Sequence, residues 1–197
     1  DRNNDLPPDV RARFQALVGE EGPRLAAAAA IRAAELRALT DELTGLWNRR
    51  ALDLVMRGPE DERCALLLVD LDHFKRVNDS LGHTAGDAAL KHVARVLRGA
   101  LREQDLAARV GGEEFAIWLP STEIEQAQQV AERVRAAIAG TPFNWSGRDL
   151  VLTCSVGVAA RPAIVSQVAN LYAAADAALY RAKEGGRNRV ETALPSR

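Results

Sequence analysis

The chain has 197 residues, of which 47% are hydrophobic, and a formal net charge of −1. This length accommodates one domain of ordinary size together with an appendage. The near-neutral charge gives no general attraction to nucleic acid or to an anionic membrane, so any phosphate binding must come from local clusters. No apolar stretch approaches the roughly 20 residues of a membrane-spanning helix, and we expect neither a membrane segment nor a nucleic-acid partner.

The two cysteines, Cys64 and Cys154, stand alone beside or within apolar runs. Isolated cysteines of this kind typically act as small buried hydrophobic residues of proteins in a reducing compartment. We therefore expect neither a disulfide nor a zinc site. The chain begins at Asp1, and no signal-peptide pattern opens it. We therefore expect a cytoplasmic piece of a longer protein.

Residues 1–40 are expected to form a helical linker. Proline suits the first turn of a helix, so the alanine-rich segment from Pro23 predicts a helix that reaches Leu43. Spacings of three and four predict the seam of a short coiled coil, formed by Leu25, Ala29, Arg32, Leu36, Leu39 and Leu43. Because the seam is short and contains Arg32, a helix that only docks on the domain stays an alternative to a dimerisation stalk.

The globular part is predicted over residues 41–193, followed by a tail at 194–197. Gly45 interrupts the preceding helix, and Asn48 is a suitable N-cap for a new helix that runs through Met56. Residues 63–69 form a continuous apolar run of strand length. Such a run predicts a central strand that is covered on both faces.

The remaining segments alternate between helix and strand patterns. Helices are predicted over residues 86–102, 123–139 and 166–183, and strands over residues 150–159 and near Val190. With at least one antiparallel hairpin at the centre, this order indicates an α/β (α+β) fold. Its central mixed sheet is flanked by helices.

The central hairpin is predicted from strands at residues 106–110 and 113–119 around Gly111-Gly112. Two glycines suit a two-residue turn, because both positions can take positive φ. The adjacent carboxylates of Glu113 and Glu114 would then point to opposite faces at its tip. This arrangement suits a metal and a nucleotide, although an exposed hairpin with ordinary charged flanks is the alternative.

Acidic residues also follow the buried strand, at Asp70 and Asp72. Carboxylates at the end of a buried strand commonly hold an oxygen-seeking cation such as Mg²⁺, with phosphate oxygens as further ligands. The alternative is that Asp72 caps the next helix and that Asp70 is a satisfied polar residue at a strand end.

Two further clusters suit a nucleotide. Asn78 and Asp87 offer acceptors for the edge of a guanine base. Lys183, Arg187 and Arg189 surround a Gly-Gly pair and form a basic corner suited to phosphates. An ordinary basic helix C-terminus is the alternative for this corner.

Six ordered blocks within residues 41–193 resemble the GGDEF family, the diguanylate cyclases. They lie at residues 41–50, 70–79, 82–87, 109–115, 155–159 and 175–189. The stretch that names the family reads Gly-Gly-Glu-Glu-Phe here, which is a common active variant. The resemblance implies a fold similar to class III nucleotide cyclases and polymerase palm domains.

The resemblance also implies an activity. The family condenses two GTP molecules into cyclic di-GMP with release of pyrophosphate, and each of two facing domains holds one GTP. The 3′-hydroxyl of each nucleotide attacks the α-phosphate of the other. We therefore expect a homodimer, and a regulatory signal that comes from a sensory domain upstream of this chain.

By position, the resemblance assigns roles to individual residues. Asp70, Glu113 and the backbone of Leu71 would hold Mg²⁺ or Mn²⁺, and Glu114 would complete the acidic catalytic site and help to deprotonate the hydroxyl. The remaining residues would bind substrate, with guanine read by Asn78 and Asp87, the β- and γ-phosphates held by Lys75, Lys183 and Arg187, and Phe74 beside them.

Arg102 and Asp105 lie where the family has its inhibitory Arg-x-x-Asp motif, which binds an intercalated dimer of the product. Arg133 is the candidate for a second arginine contact, because arginine suits bidentate contacts to guanine and phosphate. We expect product inhibition from these residues. The alternative is an Arg–Asp pair on a helix surface, which contributes little to stability.

Two rival functions are weighed against the cyclase. A catalytically silent domain would act as a GTP or cyclic di-GMP receptor or as a dimerisation module, but such domains typically lose an acidic residue that this chain keeps. A related cyclase would accept ATP or make a mixed dinucleotide, against which Asn78 and Asp87 favour guanine. The absence of a Gly-x-x-x-x-Gly-Lys-Ser/Thr loop argues against a plain GTPase.

Overall fold

The structure is a computed structural model that describes residues 37–57 and 63–194, together with Ala30 and Ala34. The chain divides into two compact units, Asp1–Ala38 and Leu39–Arg197. In the first unit, Ala30, Ala34 and residues 37–38 are helical. Most of the predicted helix from Pro23 and of its coiled-coil seam lies outside the described residues.

Strands and helices alternate along the described part of the second unit. The strands are β1 (Trp47–Asn48), β2 (Cys64–Leu71), β3 (Leu106–Arg109), β4 (Glu114–Pro120), β5 (Phe143–Trp145), β6 (Arg148–Leu150), β7 (Cys154–Arg161) and β8 (Val190–Thr192). The helices are α1 (Arg49–Met56), α2 (Phe74–Leu81), α3 (His83–Ala100), α4 (Ile124–Gly140) and α5 (Leu171–Glu184). Within these described ranges, no helix is long and apolar enough to cross a bilayer.

Six of the strands form one mixed sheet in the order β1-β3-β4-β2-β7-β8. The four central strands pair antiparallel, whereas the outer pairs β1–β3 and β7–β8 are parallel. The mixed sheet flanked by helices that the sequence predicts is therefore confirmed. Strand β2 lies at its centre, and all eight of its residues are buried, as expected for a strand covered on both faces.

Side chains of β2 alternate between two hydrophobic cores. Leu67 and Val69 pack in the core that contains α3 and α4, whereas Leu66 and Leu68 pack in the core that contains α1 and α5. Each fully buried side chain of this size stabilises the fold by about 1.5–3 kcal/mol. The strand is thus fixed from both sides up to Asp70, near its C-terminal end.

Helix α5 lies directly on β7 at Gly157. A Cβ atom at this position would collide with the backbone carbonyl oxygen of Ala175 and the backbone nitrogen of Leu179. The backbones of strand and helix therefore touch, which only glycine permits. This contact fixes the distance between the sheet and α5, whose last turn contains Lys183.

Several local predictions are confirmed. Asn48 caps α1, since its side chain accepts a hydrogen bond from the backbone N–H of Ala51 at 3.1 Å. Both cysteines are buried, as expected for small hydrophobic residues, and burial is the main cause that raises the pKa of Cys154 to about 12. A thiol with such a pKa behaves as a small hydrophobe rather than as a nucleophile.

Other predicted boundaries are wrong. The strand predicted over residues 150–159 begins at Cys154, because Leu150 instead pairs with Phe143 in the hairpin of β5 and β6. The helix predicted over residues 166–183 begins as a 3₁₀ turn at Val168–Asn170. The helix predicted over residues 86–102 corresponds to α3, which instead begins at His83 and ends at Ala100.

The β5–β6 hairpin was not predicted. Its two-residue turn, Ser146-Gly147, has φ values of 50° and 79°, which is the left-handed pair that a tight hairpin turn requires. The Ser-Gly dipeptide is a recognised turn signal and would have located this hairpin.

Candidate functional site

The candidate site is built around Asp70 at the end of β2. In the sheet, Asp70 pairs with Glu114 of β4 on one side and with Ser155 of β7 on the other. Residues directly opposite each other point to the same face, so Asp70 and Glu114 share the face that α5 covers. Asp70 is 7% exposed, whereas Glu114 is exposed at the start of its strand.

Lys183 neutralises part of this acidic group. Its Nζ lies 2.7 Å from Oδ2 of Asp70, and its side chain is one-third exposed. The predicted phosphate ligand therefore contacts the predicted metal ligand directly. This pair confirms that the structure brings together two of the residues that the sequence singled out, from segments more than a hundred residues apart.

Glu113 lies in the turn before β4, and its backbone carbonyl accepts a hydrogen bond from Leu71 N–H at 3.3 Å. Burial is the largest cause that raises the pKa of Glu113 above its ordinary value, and the charge of Asp70 raises it further. Lys183 opposes this effect only in part. The site therefore holds more negative charge than its own residues compensate.

The turn between β3 and β4 differs from the prediction. Neither Gly111 nor Gly112 has a left-handed φ, and the turn is wider than two residues because Val110 N–H and Gly111 N–H both bond to the carbonyl of Glu114. A Cβ on Gly111 would collide with the carboxylate of Glu114. Glycine here thus permits the close approach of a carboxylate and is not used for a positive φ.

Arg109, at the end of β3, anchors the same turn. Its Nη2 donates to the carbonyl of Gly112 at 2.8 Å, and its Nη1 lies 3.2 Å from Oδ2 of Asp41. The Asp41 carboxylate also accepts hydrogen bonds from the backbone N–H and the hydroxyl of Thr44. Burial alone would raise the pKa of Asp41, but these hydrogen bonds and the charge of Arg109 hold it below its ordinary value.

The predicted guanine residues lie on two packed helices. Asn78 on α2 lies against Gly86 near the start of α3, and Asp87 is the next residue and is exposed. Phe74 is only 4% exposed and belongs to the core beneath them, whereas Lys75 is exposed. The structure thus places Phe74 as a support for this surface.

The turn after α5 adopts an unusual conformation that the sequence did not predict. Gly186, Arg187 and Asn188 have φ values of 110°, 63° and 45°. We call residues 185–189 the phosphate turn. Arg187 is exposed in this turn, and its backbone N–H bonds to the carbonyl of Ala182 at 3.0 Å.

The hydrogen-bond partners of Asp72 were not evident from the sequence. It does not cap α2, since His73 occupies the N-cap position, with φ 56°. Its carboxylate instead accepts hydrogen bonds from the hydroxyls of Thr153 and Ser155 and from the backbone N–H of Asn188. Two hydroxyl residues at alternate positions of an apolar segment are a signal that could have located a polar partner.

The family model for the diguanylate cyclase GGDEF domain matches residues 38–189. The chain belongs to the GGDEF family. It is 47% identical over 163 residues to the diguanylate cyclase DgcP of Pseudomonas aeruginosa, a match that covers 80% of this chain and 24% of DgcP. It is 40% identical to the response regulator PleD of Caulobacter vibrioides, over 78% of this chain and 36% of PleD.

Solved structures of the family share this fold. The coiled coil and GGDEF domain of DgcB from Caulobacter crescentus, in complex with c-di-GMP, superposes with a TM-score of 0.78 at 31% identity. The match covers 93% of this chain and 99% of that one. The GGDEF domain described here therefore has the palm-like architecture of its family, although the chain spans well under half of the length of DgcP and PleD.

The donor set of this GGDEF domain suits a hard divalent cation. Asp70 and Glu113 supply carboxylate oxygens, and Leu71 supplies a backbone carbonyl at the same strand end. Oxygen-only sets with uncompensated charge suit Mg²⁺ or Mn²⁺. Within the ranges that the structure describes, no three His, Cys, Asp or Glu side chains are grouped as a metal cluster, so substrate or water oxygens must complete any coordination shell.

The Arg-x-x-Asp motif lies in a turn after α3, not on the helix surface that the alternative assumed. The backbone N–H of Arg102 donates to Oδ2 of Asp105 at 2.9 Å, and the side chain of Arg102 is exposed. Both residues line a shallow cavity of about 160 Å³. Arg133 of α4 donates from Nε to the carbonyl of Ala100 at 2.9 Å, so all three predicted residues lie near the end of α3.

Proposed function

We propose that two copies of this GGDEF domain condense two GTP molecules into cyclic di-GMP and release two pyrophosphates. The observation that carries this proposal is the convergence of Asp70, Glu113 and Glu114 with Lys183 at one end of the sheet. Phosphoryl-type transfer needs positioning and charge neutralisation more than covalent chemistry. An acidic site with excess negative charge beside a basic turn provides both once it holds a cation and a triphosphate.

Each residue has a role that its position supports. Asp70, Glu113 and the carbonyl of Leu71 hold Mg²⁺ or Mn²⁺, which neutralises phosphate charge and polarises the reacting oxygens when bound. Glu114 accepts the proton of the attacking 3′-hydroxyl at the exposed edge of the site. Asn78 and Asp87 read guanine, and Lys75, Lys183 and Arg187 bind the outer phosphates, with Phe74 as the apolar floor of the substrate site.

Each domain supplies half of the reaction, because the hydroxyl that attacks its nucleotide belongs to the nucleotide of another copy. A homodimer is therefore part of the proposal, and residues 1–40 are its candidate stalk. The related DgcB structure contains a coiled coil beside its GGDEF domain. Sedimentation equilibrium tests this point, since a monomer mass at every protein concentration would contradict a stalk that dimerises by itself.

Product inhibition extends the proposal. Arg102 and Asp105 bind cyclic di-GMP, and Arg133 contributes a second guanidinium from α4, which suits a ligand with two phosphates and two guanines. DgcB was solved with c-di-GMP, which supports this ligand class. We expect Arg102→Ala to relieve inhibition by added product without lowering the initial rate, and equal product sensitivity of variant and parent would contradict it.

The deciding experiment is incubation of the purified chain with GTP and Mg²⁺, followed by chromatographic separation of the nucleotides. We expect cyclic di-GMP and pyrophosphate with the parent and none with Glu114→Ala. The chain with Asp149→Asn, which changes an exposed carboxylate far along the sequence in β6, is the matched control and should match the parent.

The competing function is a receptor that binds GTP or cyclic di-GMP without synthesis. Retention of Asp70, Glu113 and Glu114 at the same end of the sheet favours the cyclase over this receptor. Binding of nucleotide without turnover at any protein concentration, with Mg²⁺ and Mn²⁺ alike, would favour the receptor instead.

A further inference from the structure

Asp72 is a partly buried carboxylate to which neither the proposed reaction nor product inhibition gives a role. Its Oδ2 accepts hydrogen bonds from the Thr153 hydroxyl at 2.8 Å and from the Asn188 N–H at 2.9 Å. Its Oδ1 accepts from the Ser155 hydroxyl at 2.7 Å. The carboxylate thus joins three chain segments that meet at the edge of the candidate site.

The first of these segments is the end of β2 itself. Asp72 follows Asp70 by two residues, and its own backbone N–H donates to the carbonyl of Thr153 at 2.9 Å. Asp72 is therefore held to the start of β7 by both backbone and side chain. Its position relative to Asp70 is fixed by the central sheet.

Another of the three segments is the phosphate turn, which has a strained backbone conformation. The left-handed φ at Arg187 is unfavourable for a residue with a long side chain, whereas asparagine at 188 adopts it more readily, and such a turn persists where surrounding contacts hold it. Asn188 is held at two points, because its N–H bonds to Asp72 and its Oδ1 accepts from Nη1 of Arg135 at 2.7 Å. Both bonds are of the stronger, charge-assisted kind, because the Asp72 carboxylate and the Arg135 guanidinium are ionised.

We propose that Asp72 is a positioning residue that sets the distance between the cation site and the phosphate turn. Through Asn188 it holds the turn that presents Arg187, and through β2 it is tied to Asp70. A triphosphate must contact both groups at once, so an error in their separation weakens triphosphate binding while it leaves guanine binding unaffected. This inference rests on the proposed function, since it assumes that the site binds GTP.

The test uses Asp72→Asn in the full chain, because asparagine keeps the shape of the side chain. Its oxygen can still face Thr153 and Asn188, while its amide can donate to the Ser155 hydroxyl. The loss of charge weakens the bond to Asn188, and we expect the Asn188 amide to exchange its hydrogen about tenfold faster than in the parent.

Ligand binding is measured by calorimetry with Mg²⁺ and either GTP or GMP. We expect Asp72→Asn to bind GTP about tenfold more weakly than the parent and GMP with an affinity unchanged within about twofold. The control Asp149→Asn removes the same charge in β6, where Asn144 keeps a partner, and should match the parent for both ligands.

The outcomes separate the inference from the proposed function. Parent-like GTP affinity in Asp72→Asn, or an equal loss for GTP and GMP, would overturn the positioning role, because the second result indicates a purely structural one. A parent that binds GTP but forms no cyclic di-GMP would overturn the proposed function alone, since the ratio of GTP to GMP affinity still decides the role of Asp72. A parent that binds no GTP would overturn both.

Discussion

Acidic side chains occur at two places around the β3–β4 hairpin, and they differ in how their charge is neutralised. We call the place of Asp41 the outer side and that of Asp70, Glu113 and Glu114 the inner side. On the outer side, Asp41 receives two hydrogen bonds from Thr44 and an ion pair with Arg109, and its pKa is lowered. On the inner side, Glu113 shares a partly buried space with Asp70 and Glu114, and its pKa is raised.

The difference distinguishes a structural acidic group from a functional one. A carboxylate with a lowered pKa stabilises the folded state in its charged form, whereas one with a raised pKa destabilises the fold when it is charged. Strongly perturbed pKa values of the second kind cluster at functional sites, where a ligand can supply the missing positive charge. The raised pKa of Glu113 thus fits the proposed role of the inner group, and the lowered pKa of Asp41 fits an anchor for the hairpin.

The largest expected effect comes from removal of charge on the inner side. Asp70→Asn is expected to lower cyclic di-GMP formation by at least about 10³-fold, because it removes a cation ligand that acts on the reacting phosphate. Product chromatography measures this loss, and circular dichroism checks that the variant is folded. A variant that keeps a tenth of the parent rate would mean that Asp70 holds no essential cation.

A smaller effect is expected on the outer side. Asp41→Asn is expected to lower the free energy of unfolding by about 1–3 kcal/mol at neutral pH, since Arg109, with 16% of its side chain exposed, loses its charged partner. Because the pKa of Asp41 is lowered in the fold, its stabilisation is present above the ordinary value of 3.8 and is lost as pH falls through the folded value.

Urea unfolding of parent and Asp41→Asn at several pH values measures this dependence. The two curves should differ most near neutrality and converge in acid below pH 3.8. The same difference at all pH values would show that packing, rather than the charge of Asp41, accounts for the loss.

The smallest effect has the opposite sign. Glu113→Gln is expected to raise the melting temperature of the cation-free domain by about 1–2 °C at neutral pH, because it removes a carboxylate that burial and then the charge of Asp70 disfavour, while solvent partly screens it. The raised pKa of Glu113 means that the parent regains this stability as pH falls, so the variant's advantage should vanish below the ordinary value of 4.5.

Differential scanning calorimetry at neutral and acidic pH compares Glu113→Gln with the parent. The variant should gain stability while it loses synthesis, which is the trade-off expected of a functional group. A lower melting temperature at neutral pH would show that Glu113 stabilises the hairpin instead.

The elements that follow from local patterns were predictable. The apolar run in β2 and the N-cap Asn48 need no information from distant residues, and both are confirmed. The resemblance supplied the site residues, but it could not supply the contact between Lys183 and Asp70. That contact depends on where α5 lies on the sheet, which no local pattern encodes.

The errors arise where hydrogen bonds that the local sequence does not reveal decide the local structure. The glycines at 111–112 suggested a left-handed tight turn, but the turn is widened by the hydrogen bonds of Val110 and Gly111 to Glu114. The left-handed tight turn occurs instead at Ser146-Gly147. The alternative that Asp72 caps the next helix is wrong, because its partners include Thr153 and Asn188, which are distant in sequence.

The contact between α5 and Gly157 has a mechanical consequence for the site. Backbone against backbone leaves no soft side chain to deform, so the helix that carries Lys183 rests on a stiff support. The hairpin that carries Glu113 is supported differently, because β4 pairs with β2 and Arg109, at the end of β3, forms an ion pair with Asp41. The lysine thus depends on close packing of a helix on a strand, whereas the acidic hairpin depends on strand pairing and a side-chain ion pair.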